Sequence, residues 1–203
     1  IPRISITLQQ ARTLGVQGPA AANPSGIGFV QAVPDLSTMS LAALNSLSAD
    51  EDGLFLMIEG GATDWAAHSH QLGQLIEESA DFQRAVQAVA VWVESNSTWD
   101  ETLLIVTTDH GNGLVFGPDA GVMAFQPVVN GGKGVMPGMS FQITGHTNEL
   151  VRLWAKGAYS AMFWRYADQY DVNFSFYSGH NADGAYIDNT DIFRVMEAAI
   201  NGE

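Results

Sequence analysis

The chain has 203 residues, 46% of them hydrophobic, enough for one large domain or a large part of one with a real core. Asp and Glu outnumber Lys and Arg 22 to 8, and the formal net charge of −14 argues against a nucleic acid partner, which needs a basic face. With no cysteine, disulfides and thiolate metal sites are excluded, so any transition-metal ligands must be histidines and carboxylates. The acidic field would repel an anionic substrate unless bound cations reversed it locally. It is also compatible with a salt-rich habitat, since the only lysines are Lys133 and Lys156. The apolar runs are far shorter than a membrane span, so a soluble chain with no membrane partner is expected. The chain begins at Ile1 without a methionine or a charged leader before an apolar core, and reads as processed, trimmed or one piece of something longer.

In chain order, residues 1–33 form a poorly patterned segment with few expected core contacts, and Gly15 to Gly28 reads as loop. Pro34-Asp35-Leu36-Ser37 opens a helix through Leu47, with Leu36, Met39, Leu41, Leu44 and Leu47 in helical recurrence. Leu54 to Ile58 is an apolar run bounded by Gly53 and by Glu59-Gly60-Gly61, as in a strand buried on both faces of a parallel sheet. Glu59 then stands at the carboxyl end of that strand, where ligands gather in open α/β sheets. From Asp64 a long helical pattern follows, with an apolar stripe of Leu72, Leu75, Ile76, Phe82, Val86, Val89 and Val93 and an interruption near Gly73. Thr102 to Thr108 reads as a second buried strand running into Asp109-His110-Gly111-Asn112. Strand, long helix and strand together make a βαβ unit.

Gly113 to Gly145, rich in Gly, Pro and Met, reads as a long excursion ending at Thr144-Gly145-His146. Leu150 to Ala155 is expected as a third strand, and Ser160 to Tyr170 as a short helix with Met162, Phe163 and Tyr166 inward. Phe174 to Gly184 reads as aromatic, polar loop. The last element is an amphipathic helix over Ile192 to Ile200, with Asp188, Asn189 or Thr190 as its cap. The fold class expected is α/β, with a mostly parallel central sheet.

Taken singly, each polar feature has a structural explanation: a solvated strand end, a surface i, i+4 pair, a cap on the next helix. Together they point to metal. Asp64 and His68 share one helical face, Asp109 and His110 end a strand, and His146 lies in a Gly-containing loop. Zn²⁺ takes imidazole and carboxylate, so Asp64, His68 and His146 suit one ion while Asp109 and His110 begin a second.

The stretches EGGATDWAAH, VTTDHGN and GHTNELV, in this order and with these gaps, resemble the metal-binding motifs of the alkaline phosphatases. PDLSTMSLAALNSL, IEESADFQRAV and YIDNTDIFRVMEAA are similar to further stretches of bacterial members, so the likeness runs from about Pro34 to the C-terminus. The resemblance implies hydrolysis of phosphate monoesters in a three-layer α/β sandwich, of which residues 34–203 would be the C-terminal part. It implies two zinc sites, one held by Asp64, His68 and His146 and the other by Asp109 and His110, with Glu59 serving a third, Mg²⁺ site. Two metals roughly 3.5–4 Å apart are suited to clamping the attacking and leaving oxygens of an in-line phosphoryl displacement. A periplasmic or extracellular location follows from the same likeness, which also leaves room for a homodimer.

The pattern departs from the family in one large respect. The serine nucleophile, the Asp bridging the second and third metals and the phosphate-clamping Arg belong to the half that precedes these motifs, and no Asp-Ser-Ala motif occurs here. Ser37 and Ser40 fall in the first expected helix, and Arg84 and Arg152 read as surface or structural. No catalytic residue is therefore assigned, and the expected partner is the N-terminal half of the same enzyme. His70 and His180 are read as non-ligands, Asp183 and Asp188 as capping or loop residues rather than calcium ligands, and Trp65 as either tuning phosphate contacts or packing. Two alternatives stand beside this reading: a cofactor-independent phosphoglycerate mutase-like enzyme, because DHGN followed by Gly-His-Thr also fits that family, and a non-catalytic metal-binding domain.

Overall fold

Asp35 starts the first helix because its extended backbone (φ −68, ψ 166) lets the carboxylate turn back onto the helix N-terminus. Its Oδ1 accepts from the Thr38 N–H at 2.7 Å. Hydrogen bonds from Thr38, its hydroxyl first and its backbone N–H second, hold the Asp35 carboxyl below the ordinary range. This helix, α1, spans Leu36–Leu47. The computed structural model describes residues 24–26, 30, 32–174 and 184–202. By compactness the chain forms two units, Ile1–Trp92 and Val93–Glu203.

In the first unit, α1 is followed by the extended run 54–58, then by α2 (Ala62–His68) and α3 (Leu72–Asn96), whose last turn belongs to the second unit. The helical pattern expected from Asp64 is broken at Ser69 to Gln71, before Gly73. Gln71 N–H donates to Ala66 O at 2.9 Å and His70 N–H to Ala67 O at 3.0 Å, with His70 left-handed at φ 52. That is a Schellman closure, in which the residue after the cap must adopt positive φ. Such a φ is uncommon outside glycine, though histidine tolerates it better than most.

The buried face of α3 also differs from the apolar stripe read in the sequence. It runs through Gln74, Glu77, Glu78, Asp81, Ala85 and Val89, whereas Leu72, Leu75, Ile76, Phe82 and Val86 are half-buried. The physical reason is that two of the acids take up otherwise unpaired backbone donors. Glu77 accepts from Ser25 twice, from N–H at 2.7 Å and Oγ at 2.9 Å, and Asp81 accepts from Leu36 N–H at 3.3 Å. Gly73 permits this closeness, because a Cβ there would lie 2.7 Å from the Pro24 carbonyl. Segment 1–33 lies mostly outside the described residues; of those described, Ser25 is clasped in this way and Val30 is buried.

Leu54 to Ile58 has the composition of a strand buried on both faces, but it has no ladder partner among the described residues. Leu54, Phe55 and Met57 are exposed. On α1 the buried positions are Ser40 and Leu44, while Met39 and Leu47 of the expected stripe face solvent.

The second unit holds eight short strands among the described residues, in four two-stranded antiparallel ladders. Strand β1 (Leu103–Val106) pairs with β6 (Trp154–Gly157), and β2 (Gly111–Asn112) with β5 (His146–Thr147). The pair β3 (Val115–Phe116) and β4 (Ser140–Phe141) braces the base of the expected excursion, and β7 (Gln169–Tyr170) pairs with β8 (Ala185–Tyr186). The third strand thus begins at Trp154, four residues beyond the expected Leu150. Gly157 fixes this register, pairing with Leu103 at φ 99 while the Thr102 carbonyl approaches its Cα and accepts from Ala158 N–H at 2.9 Å. A Cβ at 157 would collide with that carbonyl.

The helix expected over Ser160 to Tyr170 is shorter: a 3₁₀ turn, Ser160–Met162, leads into α4 (Phe163–Tyr166), of which Phe163 is buried. The terminal helix α5 spans Asn189–Asn201 and is opened by a full capping box between Asp188 and Asp191. Asp188, one of the three expected caps, is thus the one used. Val195 is fully buried on α5, and the core of this unit also includes Val93 and Phe163. Most of the loop 174–184, with His180 and Asp183, lies outside the described residues. No helix among the described residues is long and apolar enough to cross a membrane.

Candidate metal centre

In the first unit the site is built by a turn and one short helix. Glu59 ends the extended run, and its carboxylate folds back over Gly61, so that a Cβ on Gly61 would stand 3.1 Å from Glu59 Oε1. Thr63 Oγ1 closes the turn by donating to Gly60 O at 3.0 Å, and α2 follows. The i, i+4 spacing on α2 brings His68 Nε2 within 3.3 Å of Asp64 Oδ2, with both side chains about a third exposed (35% each). Three of the candidate ligands thus lie within ten residues of chain, as the sequence predicts. Trp65, next to Asp64, is half-exposed, and His70 serves the helix closure.

In the second unit the donors come from a strand exit and a ladder. Asp109 Oδ2 and His110 Nε2 are 3.3 Å apart, with Asp109 largely in solvent. His110 Nδ1 lies 3.2 Å from the Gly111 carbonyl oxygen, which can only accept, so Nδ1 is the donor. Nε2 and a carboxylate oxygen then converge, an arrangement completed by either a proton or a cation. The β2–β5 register sets Asn112 against His146, and the imidazole of His146 stacks on that of His110 with centroids 3.6 Å apart at 22°. The sequence assigned these two histidines to different ions; within this unit they are neighbours.

On the other face of the ladder a Cβ at Gly111 would meet the Thr147 hydroxyl and the Glu149 carboxylate, which would have to shift. Thr147 and Glu149 lie within the GHTNELV stretch but were not among the candidate ligands. The buried Thr147 Oγ1 has no hydrogen-bond partner among the described residues. Candidates for other roles find structural ones. Ser40 Oγ is buried and donates to Leu36 O at 2.6 Å, Arg84 pairs with Asp81 at 3.0 Å, and the Arg152 guanidinium lies 5.9 Å from the Trp154 ring centre.

Each pair brings a carboxylate oxygen and an imidazole nitrogen, hard and borderline donor types that divalent cations take, to face one another. The donor set therefore fits zinc at either pair, and the carboxylate of Glu59 suits a harder ion.

These features define an α/β chain carrying two carboxylate–imidazole pairs. Comparison with known proteins agrees with that class. The alkaline phosphatase family model matches residues 17–133, more than half of the chain, and the chain belongs to that family. It is similar to alkaline phosphatase 3 of Bacillus subtilis, at 33% identity over 90 residues (44% of this chain, 19% of that protein). It is also similar to the alkaline phosphatase of Escherichia coli, at 30% identity over 146 residues (69% of this chain, 30% of that protein). Among solved structures, a mutant of TAB5 alkaline phosphatase with Mg bound in its M3 site superposes with a TM-score of 0.50 at 27% identity, covering 63% of this chain and 36% of that one. A cold-active alkaline phosphatase from Shewanella sp. shares the fold at TM-score 0.50 and 21% identity, over 63% and 46% of the two chains. The matched stretch is thus less than half of each of these relatives.

Proposed function

We propose that this chain is the metal-binding C-terminal part of a phosphomonoesterase, with Asp64, His68 and His146 ligating one zinc, Asp109 and His110 a second, and Glu59 contributing to a Mg²⁺ site. The observation that carries the reading is the pair of Nε2–Oδ2 approaches, both 3.3 Å, at the two positions where the family motifs fall. When bound, such ions would supply positive charge to the oxygens of a phosphate monoester in a field that is otherwise strongly acidic. The residues of the chain itself bind and orient: α2 holds Asp64 to His68, the Gly111 carbonyl orients His110, and the β2–β5 ladder holds His146. No residue here is assigned as the nucleophile, which would be supplied, with the bridging Asp and the phosphate-binding Arg, by the N-terminal half of the enzyme.

The same reading extends to the fold. Leu54 to Ile58 and β1 would be strands of a mostly parallel central sheet in a three-layer sandwich over 34–203, completed by that N-terminal half. The exposure of Leu54, Phe55 and Met57 supports it, since an apolar extended run in solvent is a surface in need of cover. A periplasmic or extracellular location and a homodimer rest on family membership. The mutase alternative has no support from the relatives found, all those named being alkaline phosphatases.

The test is hydrolysis of a chromogenic phosphomonoester by the 203-residue chain, alone and mixed with the N-terminal half of a family member, with zinc and magnesium present. Turnover in the mixture and none with the chain alone is the expected result. Interconversion of 2- and 3-phosphoglycerate under manganese would instead favour the mutase, and absence of both activities with metal still bound would favour the non-catalytic domain.

A further inference from the structure

The two glycines after Glu59 are not there for backbone freedom: neither is among the positive-φ residues. Gly60 is small because of what lies on it. A Cβ built there would stand 2.6 Å from Phe82 Cδ2, 3.2 Å from its Cγ and 3.3 Å from its Cβ, so the Phe82 ring rests directly on the Gly60 backbone. The carbonyl of the same residue accepts from Thr63 Oγ1 at 3.0 Å, and Thr63 immediately precedes Asp64. Phe82 is itself held firmly, because the adjacent Asp81 receives the Leu36 N–H and Glu77, one turn earlier, receives both donors of Ser25.

We propose that Phe82 is a positioning residue for the Asp64–His68 pair: its ring clamps Gly60, and the clamped turn fixes where α2 begins and hence where the carboxylate and imidazole point. The inference rests on the metal reading of Asp64 and His68. The effect of Phe82 passes through backbone that close packing leaves little room to shift. Ring and methyl compete for one space, so changes at 60 and 82 are not independent.

The experiment is titration of the full 203-residue chain with Co²⁺, followed by the visible d–d bands as a signature of ligand geometry, with far-UV circular dichroism to confirm folding. Phe82→Ala and Gly60→Ala should each weaken Co²⁺ binding about tenfold, the low end of the effect of losing a partner that orients a ligand, and change the band shape. Phe82→Leu should restore both, and the double variant should bind no more weakly than Phe82→Ala alone. Unchanged affinity and spectrum in Phe82→Ala and Gly60→Ala, while His68→Ala loses binding, would overturn the proposal and leave the metal reading standing. Unchanged binding in His68→Ala would overturn the metal reading and the proposal with it. Should Phe82→Ala fail to fold, the spectra of Gly60→Ala and Phe82→Leu decide in the same way.

Discussion

The two carboxylate–imidazole pairs have the same separation and reach it by different physics. Asp64 and His68 are one turn apart on α2, so local helix geometry alone brings them to 3.3 Å. Asp109 and His110 are adjacent in sequence, and their setting depends on a non-local ladder in which Gly111 pairs with Thr147 and Asn112 with His146. The first pair therefore needs little more than a well-started and well-ended helix. The second needs 30-odd residues of intervening chain to return in register, which makes it the more fragile to changes away from the donors. That difference can be broken or sharpened by substitution.

The largest effect is expected from the donors themselves. His68→Ala should lower zinc affinity by more than the roughly 10–100-fold that follows loss of an outer partner, whereas His70→Gly, two residues on, should leave zinc content unchanged. His70 supplies the left-handed residue of the α2 closure, and glycine adopts that conformation without strain. Equal zinc loss in both variants, measured by plasma mass spectrometry after dialysis, would show that the chain fails as a whole rather than at a ligand.

The next effect separates the two pairs. Gly111→Ala inserts a methyl against the Thr147 hydroxyl and Glu149 carboxylate, and such overpacking costs about 1–3 kcal/mol. Urea unfolding should register that loss. The expected change falls first on the ladder-dependent donors, so the histidine NMR signals of His110 and His146 should move.

Glu77→Gln should cost about 1–3 kcal/mol, because an amide presents only one accepting oxygen to the two donors of Ser25 in a buried setting. A midpoint in urea equal to that of the parent chain would mean that the clasp contributes nothing. The smallest effect is at the helix caps. Asp35→Ala should cost about 1 kcal/mol. The Asp35 carboxyl is held below its ordinary value in the folded chain, so its contribution is fully present above the unfolded carboxylate pKa and is lost as pH falls through the lower, folded one. The difference in stability between parent and variant should accordingly shrink on acidification, and a difference that grew would contradict the capping role. Asp188, lowered by its hydrogen bonds from Thr190, should behave in the same sense.

What the sequence made legible follows the same division. The Asp64–His68 pair, the α1 start at Asp35 and the Asp188 cap are set by spacings of two to four residues, and each is found where the spacing puts it. Features set by distant partners were not legible. Glu77 and Asp81 lie outside the apolar stripe read in the sequence and are buried, because Ser25 and Leu36, 52 and 45 residues away, bring them backbone donors. Gly60, which bounds the apolar run in the sequence, is also the seat of the Phe82 ring. The shift of β6 to Trp154–Gly157 turns on the close approach of Thr102 to Gly157, which alternation of apolar residues cannot encode. Pairing between strands is likewise a property of neighbours, so the composition of Leu54 to Ile58 identified an extended apolar run but not what would cover it.

The central claim is that His68 and His146 are metal ligands, and zinc stoichiometry tests it most directly. The 203-residue chain, loaded with zinc and dialysed, should retain the ion, and His68→Ala and His146→Ala should each lower the bound zinc per chain. Stoichiometry undiminished in both variants would contradict the account.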